Sequence, residues 1–259
     1  MHVVAIDRLP LGYFLHPESR VAKYPGVTIR SAVIVCGYLV RSGGTTGLFD
    51  TGIVADPEAA ERFHPRAFDL DAALDRVGVV RDDIEWIANC HLHADHAGGN
   101  HLFPDVPVIV QKSELAAAAH PDYTVRAAAV DYAGASLQVV DGEHTVAPGV
   151  RVVPTPGHSP GHQSMLVDAT AGTTLLAGQA FDTATEYALA DLATRLPSAS
   201  EEFTYPDWMP SLVAADPAVV HLAHDLASWH RLDRDLPPSA PAPVFASESD
   251  DRPTAEVSG

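Results

Sequence analysis

The stretch Asn89-Cys90-His91-Leu92-His93-Ala94-Asp95-His96-Ala97-Gly98-Gly99 packs three histidines and an aspartate into six positions and follows them with a glycine pair. Neutral imidazole nitrogens and a carboxylate are the ligands that a borderline divalent cation prefers. Alternation at 91, 93 and 95 lets a short extended or looped segment aim them at one point. A histidine-rich surface loop is the bland alternative, and the chain has 14 histidines to cluster by chance. The run from Ile84 to Cys90 argues against it, because it reads as a buried strand, and a solvated loop has no reason to follow one.

Outward from this loop, Ser31 to Val40 is apolar and rich in β-branched residues, and Leu48-Phe49-Asp50-Thr51-Gly52 follows Arg41-Ser42-Gly43-Gly44-Thr45-Thr46-Gly47. Two strands joined by a glycine-rich hairpin are expected. Leu70, Leu74 and Val77 fall at helical spacing behind Asp69, and Gly78 stops the pattern, which predicts a helix over 68–77. Pro107 to Val110 begins another strand, and Ser113 to Ala119 reads as a helix capped by Ser113. Residues 138–140, 150–153, 163–167 and 173–177 are short strand candidates separated by Gly, Pro or Asp, which suggests a meander; Ala218 to Ala223 adds one more. Strands first paired antiparallel and then separated by helices predict an α+β or α/β layered sandwich rather than a doubly wound sheet. Residues 183–217 read as mixed helix and loop near the site. From about Leu236 apolar periodicity ends, so the expected organisation is one domain over 1–235 and a disordered acidic Pro/Ser-rich tail over 236–259.

Composition bounds the partners. The 259 residues are 46% hydrophobic and 19% charged, as in an ordinary soluble globular protein. A formal charge of −18 repels phosphate backbones and anionic membrane surfaces over a Debye length of about 8 Å. A small-molecule substrate is expected, with no nucleic acid and no membrane; the sequence carries no signal of oligomeric state. Cys36 and Cys90 each sit in an apolar run and read as small buried hydrophobes, not a disulfide, which favours a reducing, cytoplasmic setting. The N-terminus lacks a basic segment, and Asp7 interrupts its apolar stretch before a leader could form. The longest uncharged apolar run, Ser31 to Val40, falls far short of the ~20 residues needed to span a bilayer.

One local cluster cannot complete two coordination shells, so further ligands must come from loops after other strands. Thr155-Pro156-Gly157-His158-Ser159-Pro160-Gly161-His162 sets His158 in a rigid Pro/Gly loop. His162 reads instead as a packing or supporting histidine. His221-Leu222-Ala223-His224-Asp225 ends the last apolar strand, with His224 favoured over His221 as a ligand. Asp50, in the Asp-Thr-Gly turn, reads as a buried supporting residue or a plain Asx-turn.

His-x-His-x-Asp-His, then Gly-His-x-Pro-Gly-His, then a late His, together with Phe49-Asp50-Thr51-Gly52, resembles the metallo-β-lactamase-fold superfamily over roughly residues 30 to 230. Within it, the Gly-His-Ser-Pro-Gly-His-Gln-Ser run and the His224-Asp225 ending look most like the N-acyl-homoserine lactone lactonases. The resemblance implies an αββα sandwich of two mixed sheets flanked by helices. It implies one metal held by His91, His93 and His158, and a second by Asp95, His96 and His224. Zinc is the expected metal, one or two per chain, with iron less favoured. The expected reaction is attack of a metal-bound hydroxide on an ester-type carbonyl of a lactone, with Asp95 orienting the water or binding the second metal.

Here the chain departs from the family pattern. The carboxylate that bridges the two metals in the resembled family corresponds to Gln179, in Leu176-Ala177-Gly178-Gln179-Ala180-Phe181-Asp182. A neutral amide adds no negative charge and bridges two dications poorly, so the second site should be the weaker one. Asp182 is a candidate replacement, although a shift of three residues along a strand end changes its direction. The family's substrate-positioning tyrosine falls at Phe181-Asp182, so that role is lost or passes to a group such as Tyr187. A thioesterase of the glyoxalase II type is the nearest hydrolytic alternative. A non-hydrolytic or catalytically impaired metal-binding protein is the alternative that Gln179 motivates. An iron-dependent oxygenase would want its carboxylate at position 179 and is poorly served by this chain.

Overall fold

The computed structural model describes residues 4–15, 32–53, 64–121, 123, 130–195 and 205–231. The tail expected over 236–259 lies outside them. Within the described residues the chain forms two facing sheets, of seven and six strands.

The seven-stranded sheet runs in the order β4-β1-β2-β3-β5-β6-β7. Its strands are β1 (Ala5–Leu15), β2 (Ala32–Ser42), β3 (Thr45–Phe49), β4 (Arg66–Ala67), β5 (Trp86–Ala88), β6 (Pro107–Gln111) and β7 (Ser136–Val140). The expected hairpin joins β2 and β3, paired from Tyr38↔Phe49 to Ser42↔Thr45. Gly43 and Gly44 turn it with φ of 63° and 87°, a region in which L side chains are strained. β3, β5, β6 and β7 are then parallel. The six-stranded sheet, β13-β12-β11-β10-β9-β8, contains the expected meander only in part: 150–153, 163–167 and 173–177 run antiparallel within it, whereas 138–140 lies in β7, parallel to β6 in the other sheet, and β8 takes its place. Its strands are β8 (His144–Ala147), β9 (Val150–Pro154), β10 (Gln163–Ala169), β11 (Gly172–Leu176), β12 (Val219–His221) and β13 (Trp229–His230).

Alternation along the strands explains the four layers. In β2, Cys36, Tyr38 and Val40 face the second sheet and meet Val152, Met165, Val167 and Leu176 in the central core. Val35 and Leu39, on the opposite face, pack with Leu70, Ala73 and Leu74 of α1 (Leu70–Asp75). In the second sheet, Leu166, Leu175 and Val220 turn outward onto Tyr187 and Ala190 of α4 (Ala184–Arg195) and Leu212 of α5 (Met209–Ala214). Both sheets are therefore apolar on two faces, and the fold is the expected αββα sandwich. Truncating fully buried Leu74 to Ala would cost roughly 2–5 kcal/mol.

Three local expectations need correction. β1, eleven residues long, was not foreseen, because Asp7, Arg8, Pro10 and Gly12 interrupt its apolar pattern. A register shift between Pro10 and Gly12 accommodates the proline that a regular ladder would exclude. Ser113 does not cap the next helix; α3 (Lys112–Ala118) starts one residue earlier, after Gln111, with no side-chain cap. The helix expected over 68–77 is shorter, ending at Asp75, although Asp69 caps it by accepting from the Asp71 and Ala72 amides.

Candidate metal centre

The functional loops all leave strand ends on one edge. The chain exits β5 into Asn89 and Cys90, then forms the short α2 (Ala94–Ala97) with His93 at its N-cap. The Asp-Thr-Gly turn after β3 braces this loop. The His96 carbonyl accepts from the Thr51 amide at 2.7 Å and the Asn89 side chain at 3.2 Å. Asn100 joins the same buried network, accepting from the Thr51 hydroxyl at 2.7 Å and donating to the Asn89 side chain at 2.8 Å. Gly99 is required here, since a Cβ would stand 2.4 Å from the Thr51 carbonyl oxygen.

One donor set is His91, His93 and His158. His91 Nε2 lies 2.8 Å from His93 Nδ1, which lies 3.1 Å from His158 Nε2. His91 is buried, His93 half-buried and His158 exposed, so this set opens to solvent. Burial and the neighbouring imidazoles push His91 well below its usual pKa, and His158 falls to about 4 for the same reasons. Both are therefore neutral near pH 7 and offer lone pairs to a metal.

The other set is Asp95, His96 and His224. The Nε2 atoms of His96 and His224 each lie 3.4 Å from the same oxygen of Asp95. Neither nitrogen has a hydrogen-bond partner among the described residues, although both are buried. Their other ring nitrogens are engaged: His96 Nδ1 donates to Asp50 at 3.0 Å and His224 Nδ1 to the Ile34 carbonyl at 2.7 Å. Those bonds aim both Nε2 atoms at Asp95, as metal-ligating histidines require. Burial alone would lower the His96 pKa, but Cys90, Asp95 and Asp50 outweigh it and hold the ring well above its usual range. The pocket demands a positive charge, which a proton or a divalent cation can supply. The donor chemistry and the orphaned nitrogens thus fit a metal.

Asp50 is the supporting residue that the sequence allowed. One of its oxygens accepts from the Cys90 amide at 2.8 Å and the other takes the His96 bond. His162 uses both ring nitrogens within the protein, bonding the Thr155 carbonyl at 3.1 Å and accepting from the Gln179 amide at 3.0 Å. Burial, with His158 nearby, lowers its pKa to about 3. His221 is turned elsewhere, against Arg8 and Ser228, while its ring stacks on Tyr38.

Gln179 follows Gly178, whose carbonyl accepts from Ala223 beside His224, so its backbone reaches the centre. A Cβ on Gly178 would collide with Cys90, which fixes glycine there. The Gln179 side-chain amide donates to Asp182 at 3.4 Å. Tyr187 is not brought to the site. Its ring is fully buried among Phe181, Met209 and Trp229 on the outer face of the second sheet, because helical phase turns it toward that core. The sequence reading missed Glu114, a fully buried carboxylate between the two ligand loops. Its signal was a lone acid on the same helix face as Ala118, in an alanine-rich helix.

The chain belongs to the metallo-β-lactamase superfamily, whose family model matches residues 33–239. Its similarity within that superfamily is to N-acyl homoserine lactonases. An N-acyl homoserine lactonase of Bacillus thuringiensis is 42% identical over 95 residues, 37% of each chain. N-acyl homoserine lactonase AttM of Rhizobium radiobacter is 35% identical over 95 residues, 33% of this chain and 36% of that one. The matched segment thus spans little more than a third of these relatives. Similarity of structure extends further. An N-acyl homoserine lactone hydrolase with N-hexanoyl-L-homoserine bound at its catalytic metal centre superposes with a TM-score of 0.67 at 27% identity, over 87% of this chain and 95% of that one. A probable metal-dependent hydrolase from Staphylococcus aureus shares the fold at 16% identity, with a TM-score of 0.66 over 86% of this chain and 89% of that one.

Proposed function

We propose that the protein is a metal-dependent hydrolase that opens lactones, with N-acyl-homoserine lactones as its substrate class and quorum quenching as its role. The observation that carries this reading is the pair of orphaned, buried Nε2 atoms of His96 and His224 converging on Asp95 beside a three-histidine set. The likeness to a hydrolase holding N-hexanoyl-L-homoserine supports the substrate class. Zinc is the assigned metal, held by His91, His93 and His158, with a weaker second site at Asp95, His96 and His224. Bound there, it would supply Lewis acidity and lower the pKa of a bound water to about 7.

The chain's own residues prepare that chemistry. Asp50 and the Ile34 carbonyl hold the two rear imidazoles in one tautomer. Asp95 supplies the carboxylate of the centre, and burial's opposition to its charge is outweighed by His96 and His224. The exposed His158 and half-buried His93 leave the approach to the carbonyl open on their side. Gln179 offers a carbonyl oxygen without charge. A second reading, a one-metal centre with reduced turnover, is favoured by the turn of the Gln179 amide toward Asp182. A cytoplasmic location rests on the two unpaired, buried cysteines. No helix among the described residues is long and apolar enough to cross a membrane.

The test is elemental analysis of protein purified without added metal, followed by assays on acyl-homoserine lactones, aryl esters, thioesters and a β-lactam. Retained zinc with preferential ring opening of the lactones is expected. Dominant iron, or turnover of thioesters in preference to lactones, overturns the reading.

A further inference from the structure

Glu114 projects from α3 into the seam between the two loops that carry His91, His93 and His158, and it is completely buried. One carboxylate oxygen accepts from the Leu92 amide at 2.9 Å and from the Tyr123 hydroxyl. The other accepts from the Ser159 hydroxyl at 2.7 Å and the Gly161 amide at 3.0 Å. Leu92 lies between His91 and His93, and Ser159 follows His158 directly. A single side chain therefore grips both ligand loops at the residues adjoining the ligands, reaching 22 and 45 positions along the chain. Gly161 permits the approach, since a Cβ there would stand 2.0 Å from the Glu114 nitrogen. One further tie between these loops is the Gln163 amide bonding the Cys90 carbonyl at 2.8 Å, on the far side of His91.

Burying a carboxylate is costly unless its lone pairs are filled, and a core-filling apolar residue would avoid that cost. Here four donors fill both oxygens, which fixes the carboxylate in two directions at once. Tyr123, one of the four, also packs its ring 4.7 Å from that of His93. We propose that Glu114 is a positioning residue for the three-histidine donor set, holding the His91-Leu92-His93 segment and the His158 loop at the separation that one metal ion requires. The proposal rests on the metal-centre reading above. An amide at this position cannot reproduce the grip. A glutamine has one acceptor oxygen, so its NH2 must face either the Leu92 or the Gly161 amide, and neither can turn round to accept.

The experiment compares wild type, E114Q, and the double variant Y123F/S159A, which keeps the carboxylate and removes two of its four donors. Each is stripped of metal, checked for fold by circular dichroism, and titrated with cobalt(II) against a chelator while the visible spectrum of the bound ion is recorded. Wild type is expected to bind cobalt with a tetrahedral-type spectrum. E114Q is expected to keep the fold, weaken the tighter site by about 10–100-fold and change the shape of the spectrum. The double variant should show the same change to a lesser degree, and it stands in for E114Q if that variant does not fold. A folded E114Q, or in its place the double variant, with wild-type affinity and spectrum overturns the proposal alone. Failure of wild type to bind cobalt overturns the metal-centre reading and this inference with it. A mainly structural residue would lower thermal stability without altering the spectrum of the ion that remains bound.

Discussion

His91, His93 and His158 form a set that runs from a fully buried imidazole out to an exposed one at the rim, whereas Asp95, His96 and His224 have no exposed member, and both histidines are anchored from behind. The rim set carries no carboxylate, and its nitrogens lie 2.8 and 3.1 Å apart. The deep set has one carboxylate and two tautomers fixed by Asp50 and Ile34. Charge and preorganisation therefore favour different things. Counting charges with two dications and one hydroxide, Asp95 alone leaves about two net positive charges, and a carboxylate at 179 would leave about one. On the proposed two-metal reading the shortfall would fall on the second metal to bind. Preorganisation favours the deep pocket, which is already shaped for a cation.

Removing one ligand from each half is the strongest way to break this comparison. His158→Ala should abolish both tight metal binding and lactone opening, by at least about 10³-fold, because on the proposed reading a metal held there would be what acidifies the water. His224→Ala should cost less, about 10–100-fold, and leave one equivalent of metal bound. Equal losses in kcat/KM and in metal content would mean that the centre acts as one unit.

Asp50→Asn tests preorganisation alone. An asparagine keeps the size but can present its NH2 to His96 Nδ1, which would turn the ring's proton to Nε2 and block the ligand lone pair. The second metal should bind about 10–100-fold more weakly while the first is unchanged, as isothermal titration would resolve. Gln179→Asp tests charge. It should tighten the second metal by about tenfold or more, since a carboxylate about 4 Å from a cation gains several kcal/mol at a protein-like dielectric before its own desolvation is counted. Elemental analysis showing unchanged stoichiometry would refute the charge argument.

Which parts of this arrangement could be read from the sequence follows from how local each one is. The rim and deep sets share a six-residue motif, and the remaining histidines sit in loops marked by Pro, Gly or a strand end, so spacing and side-chain chemistry made them candidates, and the fold brings them together. The two-sided strands were legible because β2 and β10 are apolar on both faces. β1 was not, since Pro10, Gly12 and a charged pair mask a strand whose pairing is decided by β2, whose partner residues lie 17 to 36 positions further along the chain. Glu114 was not, because its four partners come from three separate segments and no local pattern announces them. Tyr187 misled for the converse reason. Its nearness in sequence to Gln179 suggested nearness in space, but α4 turns it onto the outer core.

Tyr187→Phe therefore marks the edge of the centre and should have the smallest effect. The Tyr187 hydroxyl is buried without a hydrogen-bond partner among the described residues. Burial, with Asp191 nearby, raises its pKa far above the phenol range, so it stays protonated throughout the working range. A buried hydroxyl that bonds nothing costs about 1–3 kcal/mol of desolvation, and phenylalanine removes that cost while keeping the ring against Phe181 and Trp229. The variant should be as stable as wild type or slightly more so in thermal unfolding, with lactone kcat/KM within about twofold and metal stoichiometry unchanged. A selective fall in kcat with normal stability would instead bring Tyr187 into contact with the reacting substrate, which requires α4 to move. The boundary between the metal centre and the outer core would then lie one helix further out.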